Sequence, residues 1–472
     1  MDNGLMKFID GIYSNEKAIT KEQIAEILKV SPEVYEEFEK AYKKYAFDPN
    51  VAEDIFSKEN RVIGRRIESV KGMSPLIDRI ASELANQSAV VSVRGGQIIE
   101  PNLCTELISV DRLTPDDLAS LSKDNRPQVL GDYMITHTPE GASTSALMTM
   151  YKSFLDEKDP TIKKKFYQLF RQGIDLLDLE PLIYEILKLD PNSMGKWLVP
   201  IVKANQHGDF FKIPDTDIIE VPMTLLQLSR IDYMSLNPVT LAIVDRFCHK
   251  MVNLDHTKDY FVKTGTFSSK FDFRNARIHG EKEVKEIGQY LLFLSNTASN
   301  MASPMNNPVF YGVSSNNEWV IREYIKDVEN NPCIYKGLPL HTEYRAFIDA
   351  DEKELIGITP YWDFEMLANR FGRSSDANSP HKIHDYIILL SHREKLEGRF
   401  YENNDRVSNE IKKILPYLEL NGQWSLDIMQ NGEDFYIIDM SLAVNSALAN
   451  KMPYGKIKQI NENLIPQIGT KM

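Results

Sequence analysis

Residues 424–445 read WSLDIMQNGEDFYIIDMSLAVN, two apolar arms around a polar turn, and each arm carries an aspartate where a strand would ordinarily continue with Val or Ile. The two are Asp427 and Asp439. In the first arm side chains alternate, which puts Trp424, Leu426 and Ile428 on one face and Ser425, Asp427 and Met429 on the other. In the return arm the same rule groups Phe435, Ile437 and Asp439. The turn then sets the register. A two-residue Asn431-Gly432 turn places Asp427 opposite Tyr436 and leaves Asp439 on the other face. An odd loop, such as Gly432 to Asp434, places the two aspartates directly opposite each other. Facing carboxylates weaken a ladder unless a positive charge lies between them, and a divalent metal is the simplest such charge. Carboxylates from two strands with room for waters suit Mg²⁺, whose other ligands are then nucleotide phosphates. The plain alternative is that both aspartates end their strands at a solvent edge.

The chain has 472 residues, enough for about three structural units. With 42% hydrophobic and 26% charged residues it reads as folded, neither disordered nor fibrous. Lys and Arg number 55 against 68 Asp and Glu, and the net charge of -13 argues against broad binding to nucleic acid or an anionic membrane. Three widely spaced cysteines, Cys104, Cys248 and Cys333, suggest neither a disulfide framework nor a zinc site. The N-terminal segment mixes acids into its apolar positions, and no later stretch reaches the length of a membrane span. We therefore expect no signal peptide, no membrane partner and a cytoplasmic setting.

Helical patterns occupy 31–47, where Ser31 is the N-cap and Pro32 the first helical residue, and recur at 75–86 and 160–177. Turn residues mark connections around Gly95-Gly96 and Gly141. From about residue 205 β-type runs appear at 260–264, 318–325, 343–348, 354–359 and 434–439, alternating with helices at 283–296 and 404–418. Hairpin strands with scattered helices imply an α+β fold, not a doubly wound sheet.

Two further clusters carry chemistry. In YFVKTGTFSSKFDF, Lys263 stands at a strand end before a loop bearing Gly265, Ser268 and Ser269, a pattern that meets a phosphate by charge and by backbone N–H groups. It matches no Walker A loop, and a surface lysine explains it equally well when taken alone. In EYRAFIDADEKELIGITPYWD, Glu343 and Arg345 share a strand face. Either they form a surface salt bridge, or Glu343 fixes Arg345 so that its planar fork holds a γ-phosphate or a developing acyl-phosphate.

In this order, FVKTGTFSS, WVIREYI, EYRAFID with ELIGITPYWD, and the Asp427/Asp439 hairpin resemble the ATP-grasp superfamily. Within it they most resemble the family of the eukaryotic cell-division-cycle assembly factor for translation initiation factor two and its bacterial relatives. The similarity spans residues 255–445. It implies two α+β lobes sandwiching ATP, with 205–330 as the first lobe and adenine hinge, 331–472 as the second lobe with the metal site, and 1–204 as a mainly helical region of unknown role. It also implies that Lys263 contacts the nucleotide phosphates beneath the Ser268-Ser269 loop. Arg322, Glu323, Tyr324 and Ile325 would then supply the hinge backbone, Arg345 would reach the γ-phosphate, and Asp427 and Asp439 would hold Mg²⁺. The family places Asn two residues after the second acidic ligand. Here Ser441 stands there, and Asn445 is the substitute from the next turn.

Two functions follow from the resemblance. The first is an ATP-dependent ligase that phosphorylates a small-molecule carboxylate for attack by an amine or thiol, with Asp363 as the candidate base. The second is a non-catalytic ATP-binding assembly factor for a protein partner. A protein without ATP would need Lys263, Arg345, Asp427 and Asp439 to be unrelated surface charges.

Overall fold

The computed structural model describes residues 74–99, 190–230, 236, 238–302, 315–371 and 380–458, with a few positions between 158 and 188. The expectations for 31–47, 160–177, Gly141 and Cys104 lie outside the described residues. In chain order the strands are β1 (Val90–Arg94), β2 (Gln97–Ile99), β3 (Phe211–Lys212), β4 (Thr216–Glu220), β5 (Tyr260–Thr264), β6 (Arg277–Ile278) and β7 (Glu318–Glu323). They continue as β8 (Cys333–Ile334), β9 (Leu338–Pro339), β10 (Thr342–Asp349), β11 (Glu354–Pro360), β12 (Gln423–Asn431) and β13 (Asp434–Leu442). One sheet has the order β2-β1-β4-β7-β5-β6 and the other β11-β10-β12-β13-β3, with β8-β9 as a separate ribbon. Among the described residues every pairing is antiparallel except β13 with β3, so the chain is α+β, as its sequence pattern implies.

Alternation along β7 explains how the sheets stack. Trp319 and Ile321 enter an apolar core with helices Pro238–Met251 and Ile287–Ala302, and Trp319 Nε1 donates to Ser295 Oγ at 2.7 Å. Val320, on the other face, joins a second core. That core gathers Tyr344, Ala346 and Ile348 of β10, Leu426 and Ile428 of β12, and Phe400, Val407 and Ile411 of the long helix Pro380–Ile414. Helix Met194–Asn205 adds Trp197, Leu198 and Ile201. The second sheet therefore has one apolar face, and its polar face is left for the site.

The region before residue 205 is not helical throughout. Helix Ser74–Ala85 matches the expected 75–86, but β1 and β2 form a hairpin that pairs with β4 in the first sheet. Gly95 and Gly96, at φ 55° and 72°, supply the two left-handed residues that a tight hairpin loop needs. Among the described residues no helix is long and apolar enough to cross a membrane, and Cys248 and Cys333 are buried thiols.

After β7 the chain is tied down by one half-buried carboxylate. Glu329 accepts from Arg399 Nη1 at both oxygens, from Lys395 Nζ at 3.2 Å and from the Gly432 N–H at 2.6 Å. This joins the loop following β7 to the long helix and to the β12-β13 turn. Burial opposes ionisation of Glu329, but these donors outweigh it and bring its pKa down to about 2. A folded-state pKa below the ordinary carboxylate value gives stability that is present above that value and lost as pH falls. The urea midpoint should therefore drop between about pH 5 and about pH 2. Glu329→Gln should flatten that part of the profile.

Candidate functional site

The β12-β13 register brings Asp427 and Asp439 together by a route the sequence does not announce. Asn431 pairs with Asp434, so the loop is the even pair Gly432-Glu433, with Gly432 at φ 63°. Counting from that loop would put Asp427 opposite Ile438. Instead Ile428 pairs with Ile437 and Asp427 with Asp439, leaving Ile438 as a bulge. Neither expected turn is present, yet the outcome expected of the odd loop is. The bulge also corrects the grouping of the return arm: Phe435, Ile437, Met440 and Leu442 enter the core, while Asp439 turns to the polar face with Asp427.

Arg322 of β7 holds this bulge. It is 4% exposed, and its Nη1 donates to Ile438 O at 2.5 Å, its Nη2 to Ile437 O at 3.4 Å and its Nε to Thr216 Oγ1 at 3.3 Å. Burial pulls the guanidinium pKa down to about 10, and the charge of Asp439 opposes that pull. A bulge frees carbonyls from their ladder, and a buried carbonyl needs a donor. Arg322 thus bridges the two sheets by its side chain.

Each aspartate has a cation. Lys263 is 1% exposed, which rules out the surface-lysine reading, and its Nζ donates to Asp439 Oδ1 at 2.9 Å. Arg345 clamps Asp427 through Nε to Oδ1 at 2.8 Å and Nη2 to Oδ2 at 2.7 Å. Its Nη1 reaches Ala447 O at 3.2 Å, and its fork lies 4.6 Å over the Tyr361 ring. The expected partner Glu343 is thereby corrected to Asp427. The physical reason is register: β10 and β12 set Arg345 opposite Asp427 and Glu343 opposite Met429. Burial raises the Glu343 pKa to about 7, with Lys270 opposing and Asp427 and Asp439 adding to the rise.

These groups surround a cavity of about 860 Å³, its open mouth included. Of the residues singled out from the sequence, Lys263, Ser268, Arg322, Glu323, Tyr324, Ile325, Glu343, Asp427 and Asp439 line it. Ser269, Arg345, Ser441 and Asn445 do not. Ser269 is buried at φ 47° and its carbonyl accepts from the Asp272 N–H at 3.0 Å. The Ser441 hydroxyl lies in a cluster with Ser425, at 3.1 Å, and Ser446, at 2.6 Å. Asn445 ends the short turn Ala443–Asn445. Asp363 caps helix Phe364–Phe371, accepting from the Met366 N–H at 2.7 Å, so a helix start accounts for it.

The hinge backbone is partly committed to the sheet. Glu323 N–H donates to Asp215 O at 2.8 Å and Tyr324 N–H to Asp259 O at 3.1 Å. Ile325 is the next donor along the cavity wall. Beside it Phe261, Phe273 and Tyr324 form an aromatic group, with Phe261 and Phe273 stacked at 5.7 Å. Sequence reading overlooked Lys270, which sits 4.1 Å over Tyr361, and His341, whose pKa burial lowers. Lys270 directly follows the quoted Ser268-Ser269, so its signal was in the motif; His341 had none.

Among the described residues no three of His, Cys, Asp and Glu converge to cage a metal ion. Asp427 and Asp439 are a hard, oxygen-only pair, which fits a Mg²⁺ that keeps waters and takes phosphate ligands. Arg322→Met should strand the Ile437 and Ile438 carbonyls and lower unfolding stability by roughly 1–3 kcal/mol in urea titration. Arg322→Lys should recover part of the loss.

No family model and no curated protein matches the chain. Among solved structures it is similar to Cdc123 from Schizosaccharomyces pombe, at 14% identity over 57% of this chain and 94% of that one, with a TM-score of 0.33. It is likewise similar to a C-terminally truncated Cdc123 from the same organism, at 12% identity, the same coverage and a TM-score of 0.33. Cdc123 is the cell-division-cycle factor whose family the motif order resembles.

Proposed function

We propose that the chain binds ATP as its Mg²⁺ complex in the cavity between the two sheets, in the manner of an ATP-grasp protein. The observation that carries this reading is the buried Lys263 ammonium on Asp439, opposite Asp427, at the wall of a cavity of about 860 Å³. Burying the Lys263 ammonium and the Asp427 carboxylate is costly, and such groups are retained where a ligand uses them. A metal polyphosphate presents both signs of charge: Asp427 and Asp439 suit the metal, and Lys263 with Lys270 suits the phosphates. The Ile325 N–H and the aromatic group around Phe273 suit the edge and face of a purine. Bound Mg²⁺ would supply charge neutralisation for the phosphates.

The role that follows best is that of an assembly factor whose nucleotide orders a surface for a protein partner. Arg345, which a phosphoryl-transferring site would aim at the γ-phosphate, spends its fork on Asp427 and Ala447 O behind the cavity wall. One observation favours the ligase reading instead. Glu343, at a pKa of about 7 on the cavity wall, is suited to carry a proton at neutral pH for an attacking amine or thiol. ADP release by purified protein with Mg²⁺ and ATP, on adding small-molecule fractions of cell extract, separates the two. ADP with one fraction would establish phosphoryl transfer, by a ligase or a kinase, and identify the substrate pool. Tight binding with no ADP in any fraction would favour the assembly role.

Asp439→Asn should abolish Mg²⁺-dependent ATP binding in calorimetry and leave the ligand-free melting temperature within a few degrees. Unchanged nucleotide affinity in that variant would remove the metal assignment. Lys263→Ala should weaken ATP binding while the dependence on Mg²⁺ persists.

A further inference from the structure

The two aspartates that face each other are already neutralised from within, and the two neutralising pairs are built differently. Asp427 spends both oxygens on Arg345, and that pair is sealed, the side chains being 9% and 11% exposed. Asp439 is 37% exposed, and its Oδ1 accepts from both Lys263 Nζ and the Met440 N–H. Among the described residues no hydrogen bond reaches its Oδ2. One carboxylate is thus locked, and the other presents a free oxygen to the cavity beside a buried ammonium.

The charge count around the cavity sharpens the contrast. Lys263, Lys270 and Arg322 on its wall, with Arg345 behind it, face Asp427, Asp439 and Glu343, and Glu323 is matched by Lys258 at 3.3 Å, so the cations offset the carboxylates. A bare divalent cation entering this balanced site would add two positive charges next to Lys263, which β5 holds at 1% exposure on the cavity wall. Like charges at contact distance in a partly buried site repel far more strongly than in bulk water, because the effective dielectric there is lower. A cation that arrives on a polyphosphate brings its own negative charge, and a phosphate oxygen replaces Asp439 as the partner of the ammonium.

From this geometry we propose that Lys263 is a specificity-determining residue: as the internal counter-ion of Asp439 it makes the acidic pair refuse a free divalent cation and admit one only as a polyphosphate complex. This rests on the Mg²⁺–ATP reading above and adds to it an order of binding. Arg345 does not share the role, because its fork is fixed at three hydrogen bonds and stays on Asp427.

The test uses Mn²⁺ as the probe, with free Mn²⁺ followed by electron paramagnetic resonance on the full chain, alone and with a non-hydrolysable ATP analogue. Wild type should bind Mn²⁺ weakly alone and at least tenfold more tightly with the analogue. Lys263→Met, of similar length and no charge, should bind Mn²⁺ alone at least tenfold more tightly than wild type, and Lys270→Met should show no such gain. Lys263→Gln serves where the Met variant does not fold, and the wild-type comparison needs no variant. Equal Mn²⁺ affinity with and without the analogue in wild type would overturn the proposal, as would a folded Lys263→Met with no gain. A gain in Lys263→Met without any analogue binding by wild type would instead remove the ATP reading and keep the counter-ion role.

Discussion

Everything at the site depends on Arg322 holding one bulge. A strand has a period of two, so a single extra residue decides whether a side chain points to the core or to the cavity. Ile438 is that residue: on its N-terminal side Phe435 and Ile437 are core, and beyond it Asp439 is not. The irregularity exposes two carbonyls, and Arg322, reaching across from the other sheet, satisfies them. The same side chain therefore fixes the face of Asp439 and the approach of the two sheets. A backbone defect in one sheet and a buried cation in the other are each unfavourable alone, and each is the partner the other needs.

How much of this was legible varies with how local the signal is. The alternation of Trp424, Leu426 and Ile428 against Asp427 and Met429 is a local property, and it holds in β12. The bulge was not legible, because Ile437 and Ile438 are the same residue type and nothing in the run marks which of them is unpaired. The partner of Arg345 lies 82 residues away across a long helix, and sequence sets no register over such a span. Glu343, two residues off on the same strand face, was the near choice and the wrong one. Arg322 is paired with main-chain oxygens, which leave no trace in side-chain chemistry. Asp363 did carry a local mark, since an acid directly before a helix is an ordinary cap.

The cavity is dense in charge but not in loose charge. Its cations sit on carboxylates, carbonyls or aromatic rings: Lys263 on Asp439, Arg345 on Asp427, Arg322 on the bulge, Lys270 on Tyr361. Such pairs are weak evidence for stability, because desolvation offsets much of their attraction. Their value is positional. An entering ligand meets dipoles and charges already oriented and exchanges partners instead of creating them.

The hairpin of β1 and β2 has a consequence for how the molecule divides. It enters the first sheet from well before residue 205 and supplies the outer partner of β4, with Val93 buried in the second core. A chain cut at residue 205 would leave β4 as a bare edge, its outward N–H and C=O groups unpaired and an apolar patch uncovered beside it. Such an edge is a template for another strand, and the expected fate is sheet-to-sheet association between molecules. The cavity, although its walls come from later residues, is in this sense not a separable module: its solubility is written well upstream of the residues that line it.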